Sequence, residues 1–187
     1  MKQINQRIIS IDIETKQVTS LENGIEKMNS LECLRFSNDW ICGNLQGYNR
    51  RPSLVIGKLP QRGSESRIQW KIVEIQDNLN EKATVELITH LPKVEDSNYR
   101  NISFESILVE STQKNNGLVV FPHGGPHGAF CCEFSAHVAI FYSLGFSVLL
   151  VNYRGSAGFG QDSIDCLPGK VGTNDVNDVQ VCKTQFI

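Results

Sequence analysis

Leu118-Val119-Val120-Phe121-Pro122-His123-Gly124-Gly125-Pro126 is the stretch on which the fold turns. Four apolar residues in a row read as a short strand buried on both faces, the kind found inside parallel sheets. Pro122 ends the run and, after His123, a glycine pair follows. Glycine reaches backbone conformations that other residues resist, so two in succession let peptide N–H groups turn outward from the strand end. This arrangement has two readings. One is a plain strand-to-helix turn. The other is an oxyanion loop, whose backbone N–H stabilises the negative oxygen of an acyl-transfer intermediate.

Downstream, Glu133 to Leu144 is apolar nearly all round, with Ala136, Val138, Ala139, Ile140, Phe141 and Leu144. It predicts a buried helix capped at its C-terminus by Gly145. Phe146 to Val151 then predicts a second buried strand. Strand, helix, strand is the βαβ pattern of an α/β fold. Asn152-Tyr153-Arg154-Gly155-Ser156-Ala157-Gly158-Phe159-Gly160 closes that strand. Its three glycines bend a loop at the C-terminal edge of the sheet, where open α/β folds place their sites. Arg154 offers a fork of donors to anchor the loop on a carboxylate or carbonyl group. No Gly-Lys-Ser/Thr follows, and Gly158-x-Gly160 lacks the third glycine of a dinucleotide fingerprint. Thr173-Asn174-Asp175 predicts a helix start, with Val176 and Val179 on one face and Lys183 and Thr184 interrupting it.

Upstream the pattern changes. Ile9, Ile11 and Ile13 alternate with Ser10 and Asp12, the period-2 signature of a strand. A polar turn leads to a second strand from Val18 to Leu21. Further strands are predicted at Leu31–Phe36, Trp40–Leu45, Ser53–Leu59 and Ile68–Ile75, with turns at Asn38-Asp39 and across Gly47 to Pro52. Short strands at this spacing fit a meander such as one or two propeller blades. Trp40 and Trp70 are expected to pack within it. The polar stretch Asp77 to Lys82 divides the chain into residues 1–78 and 79–187. Strands at Thr84–Ile88 and Phe104–Val109 and a turn at Asn115-Asn116-Gly117 then lead into the stretch quoted first.

From position 118 to 180 the sequence resembles the prolyl oligopeptidase family of serine peptidases. The resemblance runs through Phe121-Pro122-His123-Gly124-Gly125-Pro126-His127, Gly145-Phe146, Val148 to Ser156, Gly158 to Ser163, Leu167-Pro168-Gly169 and Asp175 to Gln180. It implies an α/β-hydrolase domain, here incomplete, preceded by propeller-like strands that restrict access to the site. It also implies removal of an N-acylated residue from a short peptide through an acyl-enzyme on serine, with no cofactor. The oxyanion donor it implies is the Gly125 N–H first and Gly124 second. His123, Pro126, Tyr153, Arg154 and Gly155 would shape the surrounding loops. For the intact relative it admits a homo-oligomer.

One departure from the family weighs heavily. A serine triad of this order needs an exposed serine on a strand-to-helix elbow, followed by an acid and a histidine. No G-x-S-x-G occurs among the 187 residues. Ser147 is expected at the start of a buried strand, and Ser156 stands in the wrong register to its glycines. His123, His127 and His137 all precede any such serine; His123 is expected to hydrogen-bond within its own loop. Asp162 and Asp165 read as capping or solvent-facing. The expectation is therefore a chain truncated before the nucleophile and inactive alone. A non-catalytic module that binds a partner or competes for assembly, and a small carboxylesterase, are the alternatives.

Composition closes off other classes. The net charge is −2, from 18 basic and 20 acidic residues, and no basic cluster points to nucleic acid. The longest apolar strand is far too short to span a membrane, and the N-terminus lacks a signal-peptide core. Six cysteines without C-x-x-C, and histidines without zinc spacing, argue against a metal site and for reduced thiols in the cytoplasm.

Overall fold

The computed structural model describes residues 5–73, 83–92, 102–111 and 116–186. Ile75, Asn115 and the Asp77–Lys82 boundary stretch lie outside the described residues. The chain divides into two compact units, one carrying the early strands and the other everything from residue 82 on, except that Cys131–Ser135 belongs with the first.

The first unit opens with an antiparallel hairpin, β1 (Ile9–Ile11) with β2 (Val18–Ser20). Its turn is set by Asp12, whose carboxylate accepts from the backbone N–H groups of Glu14 and Thr15. Ile13 sits in this turn rather than in the strand and is 80% exposed. A four-stranded antiparallel sheet follows in sequential order: β3 (Ser30–Ser37), β4 (Trp40–Gly47), β5 (Arg50–Lys58) and β6 (Trp70–Ile72). This is a propeller-like meander. Asn38 and Asp39 both have positive φ, the backbone that a two-residue hairpin turn between twisted strands requires. The turn expected across Gly47 to Pro52 is tighter than that. Gly47 ends β4, and Pro52 lies within β5. Leu31, Leu45 and Val55 form one small core, and Leu21, Ile41 and Ile68 another. Trp70 packs against both and donates its indole N–H to the Leu21 carbonyl at 2.7 Å. Trp40, expected to pack, is instead 48% exposed at a strand end.

The second unit is a four-stranded mixed sheet in the order β7-β8-β10-β9. β7 (Thr84–His90) and β8 (Phe104–Glu110) are antiparallel, as are β8 and β10 (Ser147–Asn152). β9 (Leu118–Pro122) runs parallel to β10, so β9, α1 (Ala136–Ser143) and β10 make the expected βαβ unit. β10 is buried from Val148 to Asn152, as its unbroken apolar run requires. A core of Phe104, Leu108, Leu149, Val151, Tyr153 and Leu167 lies under Val181 and Cys182 of α3 (Asn174–Thr184). α2 (Gln161–Asp165) stands between them in the chain.

Two helix expectations need correction. α1 starts at Ala136, not Glu133, and buries only Val138 and Tyr142, one i, i+4 stripe. Ile140 and Leu144 are 57% and 56% exposed, so an all-round apolar helix is covered on one side only. α3 buries Asn174, Asp178, Val181 and Cys182, whereas Val176 is 45% exposed. Of the face expected from Val176 and Val179, Val179 is half-buried and packs against the core while Val176 faces outward, because the fully buried face carries two polar residues.

Candidate oxyanion loop and its clamp

The site is built from two loops leaving neighbouring parallel strands. Residues 123–130 follow β9 and residues 153–160 follow β10, both at the C-terminal end of the strands. Gly124 and Gly125 lie in bends just past His123, both exposed, and neither N–H has an acceptor among the described residues. Gly125 has φ 63°, a left-handed conformation that a side chain would strain. Pro126 is exposed at the outer corner of the same turn.

The second loop holds the first at five points. Asn152, fully buried, accepts from the Phe130 N–H at 2.7 Å and donates to the Phe130 carbonyl at 2.9 Å. The Ala157 N–H donates to the Gly128 carbonyl at 3.1 Å. His127 Nδ1 lies 2.8 Å from the Gly155 carbonyl oxygen, and the Tyr153 hydroxyl donates to the His123 carbonyl at 3.2 Å. His123 Nε2 lies 2.7 Å from Ser156 Oγ, while the His123 ring stacks on Tyr153 at 4.3 Å and meets the edge of Phe130 at 5.6 Å. Burial holds the His123 imidazole below its ordinary pKa.

The second loop is itself anchored from below. Arg154 donates through Nε and Nη2 to both oxygens of Asp178, at 2.7 to 3.1 Å, and its backbone N–H reaches Asp178 Oδ2 at 2.9 Å. Both side chains are essentially inaccessible, at 1% and 0%. Burial pushes the Asp178 carboxyl up, and the Arg154 fork opposes it. Gly155 has φ 109°, and a Cβ there would sit 2.3 Å from Leu167 Cδ2, so only glycine fits between loop and core. Arg154, expected to anchor the loop on a carboxylate or carbonyl group, meets a carboxylate. Asp178, Asn152 and Ser156, the residues that complete the clamp, were not singled out beforehand for these roles. Their partners lie 22 to 33 residues away, and no local pattern marks them.

The remaining candidates fall outside this cluster. His137 is exposed on α1, Ser147 accepts from the Ser111 N–H at the start of β10, and Asp165 pairs with Gln161 within α2. Among the described residues no group of three His, Cys, Asp or Glu is placed to hold a metal ion, and no helix is long and apolar enough to cross a membrane.

Comparison with known proteins follows the same lines as the geometry. The model of the prolyl oligopeptidase family matches residues 132–187. The chain belongs to that family. Within it, the similarity is to acylamino-acid-releasing enzymes: 36% identity with the mouse protein over 97% of this chain, and 35% with the human one. The plant protein from Arabidopsis thaliana is 48% identical over a shorter stretch, 40% of the chain. The chain spans about a quarter of the length of the curated mammalian relatives it matches, 25% in the mouse case. Among solved structures, puromycin hydrolase superposes with a TM-score of 0.72 at 18% identity, over 97% of this chain and 27% of that one. A Mycobacterium tuberculosis puromycin-hydrolyzing peptidase gives 0.65 at 20% identity, again over 97% and 27%. These two likenesses speak for the fold.

Proposed function

We propose that these residues supply the oxyanion side of an α/β-hydrolase acyl-transfer site, in a serine peptidase that releases N-acylated amino acids from short peptides. The observation that carries this reading is the exposed Gly124-Gly125 pair, with its N–H groups unbonded at the end of β9 and clamped by the β10 loop. Such donors act by meeting negative charge as it develops on the carbonyl oxygen, with no reorganisation at the moment of reaction. The Gly125 N–H is the first donor and Gly124 the second. His123, Pro126, Tyr153, Arg154 and Gly155 hold and shape the loop. The relatives' names supply the substrate class. The six free cysteines support a reducing, cytoplasmic setting.

The 187 residues contain no nucleophile elbow, so as an isolated polypeptide they do not turn over an acylated peptide. A second reading, a non-catalytic assembly module, is favoured by the free edge of β9, which pairs only with β10 among the described residues. One experiment separates them. Hydrolysis of an acetyl-amino-acid anilide is measured for these residues alone and for the same residues joined to the nucleophile-bearing half of an acylamino-acid-releasing enzyme. Activity is expected only in the joined protein, and Gly125→Pro, which removes the N–H and cannot keep the φ of 63°, lowers it by at least roughly 10²–10³-fold. Turnover by the 187 residues alone, or indifference of the joined protein to Gly125→Pro, contradicts the proposal.

A further inference from the structure

Asparagine stands directly before glycine at Asn23-Gly24 and at Asn116-Gly117. The pairing matters chemically. Glycine has no side chain to shield its amide nitrogen or restrict its backbone, so that nitrogen can close on the carboxamide carbon of the residue before it. Asparagine is for this reason among the thermally labile residues.

Both glycines stand in open space, with nothing within 4 Å of where a Cβ would be, but the asparagines differ. Asn23 is half-buried in a turn closed by the Ile25 N–H on the Glu22 carbonyl at 2.8 Å, and its carboxamide donates to the Ile68 carbonyl at 3.0 Å. Asn116 is exposed, and so is Gly117, whose N–H has no acceptor among the described residues. Water therefore reaches both groups that must react.

What Asn116 holds gives this pair its weight. Its backbone N–H donates to the Gly145 carbonyl at 3.0 Å, and its carboxamide donates to the Leu144 carbonyl at 2.7 Å. Leu144 directly follows α1, where helix carbonyls lack partners of their own and carry the negative end of the dipole. One residue on, the Gly117 carbonyl accepts from the Ser147 N–H at 3.0 Å. Asn116 and Gly117 thus pin the entry of β9 to the end of α1 and to the start of β10.

We propose that Asn116-Gly117 is a site of spontaneous deamidation whose products unpin β9 from the end of α1. The Gly117 nitrogen, its proton lost to solvent, attacks Asn116 Cγ. An N–Cγ bond forms, the Cγ–Nδ2 bond breaks, and Nδ2 leaves as ammonia with a proton from water. A second water opens the succinimide. Cleavage at Cγ gives aspartate, and cleavage at the main-chain carbonyl carbon gives isoaspartate. The sum is amide plus water to acid plus ammonia, with nothing oxidised or reduced. Either product replaces the donor with a carboxylate. As aspartate it faces the Leu144 carbonyl acceptor to acceptor, with its charge at the unfavourable end of the helix. As isoaspartate the main chain gains a methylene, so the Asn116 N–H and the Gly117 carbonyl no longer meet Gly145 and Ser147 together.

The test is ageing of the full chain in neutral buffer, followed by peptide mapping with mass spectrometry. Isoaspartate is scored with an isoaspartyl methyltransferase and a labelled methyl donor. Position 116 is expected to convert several-fold faster than position 23, and faster again in mildly alkaline buffer, since the attacking nitrogen must lose a proton. Unfolding in urea is expected to bring the two rates together. Asn116→Gln, whose longer side chain closes a larger ring far more slowly, is expected to resist conversion. Asn116→Asp, the aspartate product itself, is expected to speed solvent exchange of the Ser147 amide while Leu149 and Leu150, at the centre of the sheet, stay protected. Conversion at position 23 level with or ahead of 116 in the folded chain overturns the proposal, and that comparison needs no variant. Unchanged Ser147 exchange in Asn116→Asp overturns the unpinning.

Discussion

Arg154 and Asp178 illustrate how a residue far from any reacting atom controls the loop. Their charges are removed from water, and the cost is offset only because the fork uses both carboxylate oxygens. Breaking one side leaves the other buried and unpaired. Arg154→Met is expected to cost about 3–5 kcal/mol in urea unfolding, with Asp178 taking up a proton in the variant as burial goes unopposed. An unchanged unfolding midpoint contradicts this. Arg154 was legible in the sequence as an anchor, from its place beside a glycine-rich bend. Asp178 was not, because an acidic residue in the middle of a helix reads as solvent-facing until the partner is seen. The same is true of Asn152, whose two bonds to Phe130 depend on the chain returning across 22 residues.

At the scale of elements, the end of α1 was legible and its beginning was not. Gly145 has φ 84°, its N–H donates to the Tyr142 carbonyl, and the Phe146 N–H donates to the Phe141 carbonyl. This is a Schellman cap, completed by the edge contact of Phe141 with Phe146 at 6.4 Å between centroids. Gly145→Ala forces a side chain into the left-handed region and is expected to destabilise the unit by roughly 1–2 kcal/mol. Residues 133–135 have helix-compatible side chains but lie outside the helix, the Glu133 N–H turning back to the Cys131 carbonyl, which periodicity alone does not reveal. The phase of α3 was obscured because Asn174 and Asp178 occupy its buried face. The corrected phase makes a prediction: Val176→Glu changes stability by less than about 0.5 kcal/mol, as for other surface sites, while Val181→Glu unfolds the second unit. Equal effects of the two, measured by chemical denaturation, would return α3 to the face first expected.

For the whole molecule, thiol reactivity provides a map of burial. Cys33 is exposed, whereas Cys132, Cys166 and Cys182 are buried, and burial pushes the Cys132 and Cys182 thiols up to about 12. Because the thiolate is the reactive form, a disulfide reagent at neutral pH should modify Cys33 first and reach those three only on denaturation. Rapid modification of Cys182 in the folded chain contradicts the packing of α3. Apolar surface follows a second pattern. Phe121 on β9 is 39% exposed, alongside Ile140 and Leu144 of α1. An apolar strand with one unpaired edge templates self-association. The chain is therefore expected to bind a hydrophobic dye and to elute above its monomer size, with Phe121→Lys reducing both. The βαβ unit and the strand-rich character of the first part were legible, since each follows from local period and turn residues. The exposure of these apolar faces was expected from the family resemblance rather than from the hydrophobic runs, since a run by itself shows that a side chain can be buried and says nothing of what covers it.

The central claim is that this chain presents an oxyanion loop without a nucleophile, and one residue makes the sharpest test. Ser156 lies 2.7 Å from His123 Nε2, the spacing of a catalytic dyad, yet it is fully buried and its hydroxyl bonds the Tyr153 carbonyl. A nucleophile must be reachable by substrate and must give its proton to the base; Ser156 does neither. The deciding measurement is labelling of the purified chain with a fluorophosphonate serine probe, read by mass spectrometry of the intact protein and its peptides. The account predicts no adduct at any serine. A stoichiometric adduct, with Ser156 the first position to inspect, contradicts it.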